Sequence, residues 1–244
     1  MNGHDKGPFE EQTRFCIITL DNAGVKKTTD VSRHGGTTSC VVQDRYTGWV
    51  DAYPSPWRTE EAIILARKHF IGPRGGSELL YFDNAREYLA AARSLQIRWN
   101  ARGKNRPAAN GVAERAVRRM LKGTRTILHD SGLPYCCCTE AATTYCANRS
   151  FHDLIRNTNK TPHQLRFGTE FNGTNIPFGA LVAHLPTSTK DSKARGKFDP
   201  RTRRGIFVGY KIHTGGVQSR VYEVFDVQAF EESSEKARVT IHKA

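Results

Sequence analysis

Two aspartates stand directly after short apolar runs, Asp21 after FCIITL and Asp83 after ELLYF, and a lone glutamate, Glu114, stands among arginines in NGVAERAVRRM. Three acids gathered at one point would repel one another unless cations sat between them. Mg²⁺ takes a few carboxylate oxygens together with waters and phosphate oxygens. Two such ions about 4 Å apart can activate an attacking hydroxyl and stabilise the leaving oxygen of an in-line displacement at phosphorus. The candidate catalytic and metal-holding set is therefore Asp21, Asp83 and Glu114, with Mg²⁺ as the ion. This chemistry needs no side-chain nucleophile, and the chain carries no GxSxG, HExxH or P-loop pattern to support another kind. Each acid also has a plainer reading. Asp83-Asn84 can start a helix, Asp21-Asn22 can be a turn, and Glu114 can pair with Arg118 at i,i+4 for roughly a few tenths of a kcal/mol. Asp44 also follows a strand, but the RYTG after it reads as a hairpin loop; Asp30 and Asp51 are weaker rivals.

The elements that must position these acids are legible from periodicity. Strands are expected at 14–20, 37–43, 49–53, 78–82 and 96–99, each a short run rich in β-branched or aromatic residues. The first is expected to end at Asp21. A helix is expected from Thr59 to Phe70, with Thr59 as N-cap and Glu60 and Glu61 in the first turn, where the helix dipole favours acids. A second follows at 85–95. A third starts at Asn110, whose side chain is a plausible cap. Val112, Ala113, Ala116, Val117, Met120 and Leu121 recur along it at helical spacing, which leaves Glu114 at the border of the apolar stripe and Arg115, Arg119 and Lys122 outside it. A fourth covers about 135–149. Strands interleaved with helices imply an α/β fold with a mixed sheet.

After Asn148 the composition changes. A connector with at most a short helix near 162–167 leads to short strands at ALVAHL, GIFVGY and VYEVFDV, expected as a small, basic β-barrel-like domain. The expected organisation is a loose tail at 1–13, the catalytic core at 14–150, the connector at 151–179, the β domain at 180–230 and a polar tail at 231–244.

The chain has 244 residues, and 37 Lys and Arg against 24 Asp and Glu leave a net charge of +13. The whole of the surplus lies in 98–129 and 190–211, and the rest of the chain is close to neutral. Two concentrated positive zones on a neutral body point to a polyanion, most simply nucleic acid. No apolar run approaches the roughly 18 residues needed to cross a bilayer, and the N-terminal segment has no apolar stretch of the kind a secretory signal requires. The six cysteines, three of them consecutive at 136–138, fit no zinc spacing and read as small apolar core residues.

NGVAER at 110–115, FDNAREY at 82–88 and VVQDRYTGWVDAYP at 41–54 together resemble the integrase core of long-terminal-repeat retrotransposons, especially the copia type. KTPHQLRFG at 160–168 and KFDPRTRRGIFVGY at 197–210 resemble the segments that follow that core, in the same order. The resemblance implies an RNase H-like fold and a DDE triad binding Mg²⁺ or Mn²⁺, with Asp83 and Glu114 matched by motif and Asp21 by its place at the end of the first strand. It implies a polynucleotidyl transferase that joins element DNA ends to target DNA, a homo-oligomer on DNA, and a nuclear location. Phosphate contacts are then expected from Lys104, Arg106, Asn110, Arg115, Arg118, Arg119 and Lys122, and from Lys193, Arg195, Lys197, Arg201, Arg203 and Arg204. The sequence departs from the family where Ala85 replaces the usual glycine after DN, and where thirty residues separate Asp83 from Glu114, a few fewer than usual. The alternative is a non-catalytic nucleic-acid-binding remnant or domesticated copy of the same fold.

Overall fold

The apolar runs form the strands expected of them, and their alternation decides which side of the sheet each residue faces. The computed structural model describes residues 17–24, 31–73, 75–101, 111–185, 197–198, 200–232 and 239–243. Strands β1 (Ile17–Gly24), β2 (Thr38–Asp44), β3 (Val50–Ser55), β4 (Leu79–Phe82) and β5 (Arg98–Ala101) form a sheet in the order β3-β2-β1-β4-β5. The first three strands pair antiparallel, while β1–β4 and β4–β5 are parallel. Parallel neighbours need a crossover. Helix α1 (Glu60–Ile71) lies in the connection before β4, and α2 (Arg86–Ser94) bridges β4 and β5. As expected, the Thr59 hydroxyl oxygen accepts from the Ala62 N–H and caps α1 above Glu60 and Glu61.

Successive residues of a strand face opposite ways. Cys40 and Val42 join Ile18, Leu20, Phe70, Phe82, Tyr88 and Ala92 in one buried cluster. Val41, with Val50 and Ala52, joins Ala116, Met120, Ala142 and Cys146 in another. The second cluster rests on α3 (Gly111–Ser131) and α4 (Cys138–His152). Ala113, Ala116, Met120, Thr124 and Leu128 are the buried stripe of α3, the face its periodicity marks out. The described cysteines 40, 136, 137, 138 and 146 are free thiols, and Cys40, Cys137 and Cys146 are buried. No helix among the described residues is long and apolar enough to cross a membrane.

Two expectations need correction. Strand β1 does not end at Asp21 but continues to Gly24, because Asp21 and Asn22 pair with Val41 and Cys40 of β2. A ladder partner outweighs the turn preference of an Asp-Asn pair. Downstream, an open antiparallel sheet takes the place of the expected small barrel. Its strands β6 (Leu181–His184), β7 (Arg203–His213), β8 (Val217–Asp226) and β9 (Val239–Lys243) run in sequence order. The sheet need not close on itself to bury a face, because Phe207, Tyr210 and Tyr222 pack into the cluster that holds Ile18 and Leu20. The Thr144 hydroxyl of α4 donates to the Val208 carbonyl of β7 at 2.7 Å. Strand β9 occupies part of the stretch expected to be a tail; the short helices α5 (Pro162–Phe167), in the connector, and α6 (Val227–Glu232), just before β9, complete the element order.

Asp51 on β3 is buried. Its Oδ1 accepts from the Ala52 N–H at 2.8 Å and its Oδ2 from the Tyr53 hydroxyl at 3.1 Å. Burial pushes its carboxyl up from 3.8 to about 6, against those hydrogen bonds and the charge of Arg166. The folded value lies above the unfolded one, so this group favours the fold fully below the unfolded value, and that contribution is lost as pH rises through about 6. Asp51→Asn keeps the acceptor for Ala52 and removes the titration. Its stability relative to the parent is expected to improve by about 1–2 kcal/mol between pH 5 and pH 8. Thermal melts at the two pH values check this; a difference independent of pH contradicts it.

Candidate active site

The parallel pairing of β1 with β4 matches Thr19 to Tyr81. Carried two residues further, that register sets Asp21 level with Asp83, and both are half-buried. Neighbouring strands lie about 4.8 Å apart. Glu114, also half-buried, is in the first turn of α3, which packs across β1 and β2. The Asp21 carboxyl shows the outcome. Its pKa is raised, first by burial and then by the negative charges of Asp83 and Glu114, while the Asn22 N–H at 2.8 Å and the Arg58 charge pull it down. Three acids distant in the chain therefore occupy one electrostatic neighbourhood.

The rival aspartates are otherwise engaged. Asp44 is buried, accepts from the Tyr46 N–H at 3.2 Å and the Thr47 hydroxyl at 2.7 Å, and so holds the β2–β3 turn. Asp51 faces the interior, and Asp30 lies outside the described residues.

One residue at the site was missed from sequence. Arg58 lies between β3 and α1, and its Nη2 donates to both oxygens of Asp83 at 3.3 and 3.4 Å. Its Nε is 3.8 Å from a Glu87 carboxylate oxygen. With the Asn22 amide oriented by its partners, the same Nε donates to the Asn22 oxygen at 2.9 Å while the Asn22 nitrogen faces the Ser39 carbonyl at 3.2 Å. The guanidinium also lies over the Tyr88 ring, 5.2 Å from its centroid. The only signal in the sequence is a basic residue one place before an N-cap, which is too common to single out.

Arg115, Arg118, Arg119 and Lys122 are exposed on α3, the helix that also carries Glu114. Lys197, Arg201, Arg203 and Arg204 are exposed near the start of β7, and Arg203 lies 3.8 Å from Asp226. Lys104, Arg106, Asn110, Lys193 and Arg195 lie outside the described residues. Three carboxylates are the oxygen donors a hard divalent cation takes, and the mutual charge felt at Asp21 is what such a cation relieves. As they stand, no three His, Cys, Asp or Glu side chains among the described residues are close enough together to form a metal-holding group.

Comparison with solved structures yields a chain of the simian T-cell lymphotropic virus intasome in complex with PP2A regulatory subunit B56 gamma. It superposes with a TM-score of 0.50 at 15% identity, over 94% of this chain and 76% of that one. At that identity the likeness is one of fold. The catalytic core domain of BIV integrase matches with a TM-score of 0.46 and 18% identity, over 62% of this chain and 93% of that one. In sequence, 104 residues are 35% identical to the Gag-Pol polyprotein of gibbon ape leukemia virus, covering 39% of this chain. The match spans 6% of that polyprotein. No protein-family profile matches the chain. The relative found is thus retroviral, whereas the motifs pointed to the copia type of retrotransposon.

Proposed function

We propose that this chain is a retroelement integrase core, a DDE-type polynucleotidyl transferase that joins element DNA ends to target DNA by in-line transesterification. One observation supports the reading: besides burial, the negative charges of Asp83 and Glu114 both act to raise the Asp21 carboxyl, so acids from β1, the end of β4 and α3 feel one another. Asp21, Asp83 and Glu114 would hold divalent ions, Mg²⁺ or Mn²⁺. When bound, the ions supply an activated hydroxyl and a stabilised leaving oxygen. The chain's own groups position the DNA. The exposed arginines of α3 hold its phosphates beside Glu114, and the basic segment before β7 holds flanking duplex. Contacts of this kind orient DNA without reading its sequence, and they weaken steeply with salt.

The similarity to a retroviral polyprotein supports a retroelement origin, and the segment KFDPRTRRGIFVGY supports a copia-type lineage. DNA substrates imply nuclear work and assembly as a homo-oligomer on DNA ends. A specific observation favours a second reading, a non-catalytic nucleic-acid-binding remnant or domesticated copy: Asp83 is already ion-paired with Arg58. A strand-joining assay on the purified chain separates the two. Joined product is expected with Mg²⁺ or Mn²⁺ and none after chelation, while DNA binding persists in both. Binding without joining under every metal condition favours the remnant.

A further inference from the structure

We propose that Arg58 is a tethered cation that competes with divalent ions for the Asp83 carboxylate and so weakens metal binding there. The inference rests on the reading that Asp21, Asp83 and Glu114 hold those ions.

Arg58 reaches the cluster by construction. Its segment is fixed on both sides: Thr59 caps α1, the Ser55 hydroxyl donates to the Trp57 carbonyl at 2.8 Å, and the Thr37 hydroxyl donates to the Pro56 carbonyl at 2.6 Å. From there the guanidinium engages both oxygens of Asp83, the Asn22 amide and, more distantly, Glu87, with Tyr88 beneath it. Its charge also acts on Asp21. One positive group thus answers two of the three candidate ligands.

Stability does not account for this arrangement. The pair is about one-third exposed on each side, 33% for Arg58 and 37% for Asp83, and ion pairs at that exposure contribute little. The position matters more than the energy. A divalent ion arriving at Asp83 meets a unit positive charge a few ångströms away on a carboxylate already committed to a guanidinium. Part of the ion's attraction to the cluster is spent displacing that partner. Arg58 therefore weakens metal binding while keeping the acids from repelling one another before an ion arrives.

The test is Mn²⁺ titration of the purified chain, followed by the electron paramagnetic resonance signal of free Mn²⁺. The variants are Arg58→Gln, Arg58→Met, Arg58→Lys and Asp83→Asn. Arg58→Met keeps an apolar stem against Tyr88 without the charge, so it serves if the Gln variant folds poorly; melts in chelator check both. Both uncharged variants are expected to bind Mn²⁺ about five- to tenfold more tightly than the parent, and Arg58→Lys within about twofold of it. A gain of threefold or more in the folded uncharged variants supports the inference; a smaller gain or a loss overturns it. Asp83→Asn distinguishes the two failures. If it weakens Mn²⁺ binding while the Arg58 variants gain nothing, only the competition is wrong. If it changes nothing, Asp83 is no ligand, and the metal-site reading falls together with the inference.

Discussion

Glu114→Gln is expected to lower Mg²⁺-dependent strand joining at least about 100-fold, since loss of even an outer partner of a metal ligand costs about 10- to 100-fold. The change keeps the shape of the side chain and removes its charge, so one of three oxygen donors becomes a neutral amide that binds a hard cation poorly. Helix α3 has no reason to change. Its buried stripe runs through Ala113, Ala116, Met120, Thr124 and Leu128, and Glu114 lies at its border with solvent. DNA binding is expected to stay within about twofold of the parent, because the exposed Arg115, Arg118, Arg119 and Lys122 keep their charges and salt-dependent phosphate contacts supply most of that affinity. If anything, removing a negative charge next to a phosphate-holding face tightens binding slightly. Joining and binding measured on the same preparation separate a chemical defect from a folding one. Parent-level joining by the variant would end the assignment of Glu114.

The order of strands and helices in the core was legible because each element is a short apolar run closed by a polar or glycine-containing turn. Local chemistry also revealed the Thr59 cap, the turn held by Asp44 and the short helix α5 (Pro162–Phe167), whose Thr161 and Gln164 form a reciprocal capping box. Long-range pairing was the hidden part. Asp-Asn at 21–22 reads as a turn until β2 is known to pair alongside it. The downstream strands read as a barrel because nothing in their own residues reports that Phe207 and Tyr210 are covered by the first sheet's core. The three candidate carboxylates stood out because two follow strands directly and the third is a lone acid in a basic helix. Arg58 did not, because its meaning depends on the register that brings Asp83 beside Asn22. Nothing in the residues around Arg166 reports that it is buried, because its partners Phe70 and Gly215 lie far away in the chain.

Arg166→Ala is expected to destabilise the chain by about 3–5 kcal/mol, the range for losing a large buried side chain together with charge-assisted hydrogen bonds. The residue is 1% exposed. Its Nε and Nη2 donate to the Gly215 carbonyl at 3.2 and 2.8 Å, and Nη2 also donates to the Phe70 carbonyl. The guanidinium lies 4.9 Å from the Trp49 ring centroid and 4.8 Å from that of Phe70. One side chain thus ties the end of α1 and the β7–β8 turn to α5, which carries it. Backbone meets backbone at this junction. Gly72 and Gly215 both have positive φ, and a Cβ on Gly72 would stand 2.7 Å from the Gly215 Cα, which is what lets a single guanidinium reach both carbonyls. Removing it leaves buried carbonyls without their donor and an aromatic-lined hole that neighbouring rings cannot fill. Arg166 also lowers the Asp51 carboxyl, so its loss makes the buried anion more costly. The penalty of Arg166→Ala should therefore be larger at pH 8 than at pH 5. Arg166→Met restores volume without donors and should recover only part of the loss. For a domain of this size the Ala variant is expected to melt roughly 10 °C lower. A drop of only a degree or two would mean that the other contacts, those of Phe207, Tyr210, Tyr222 and Thr144, hold the second sheet to the core without Arg166.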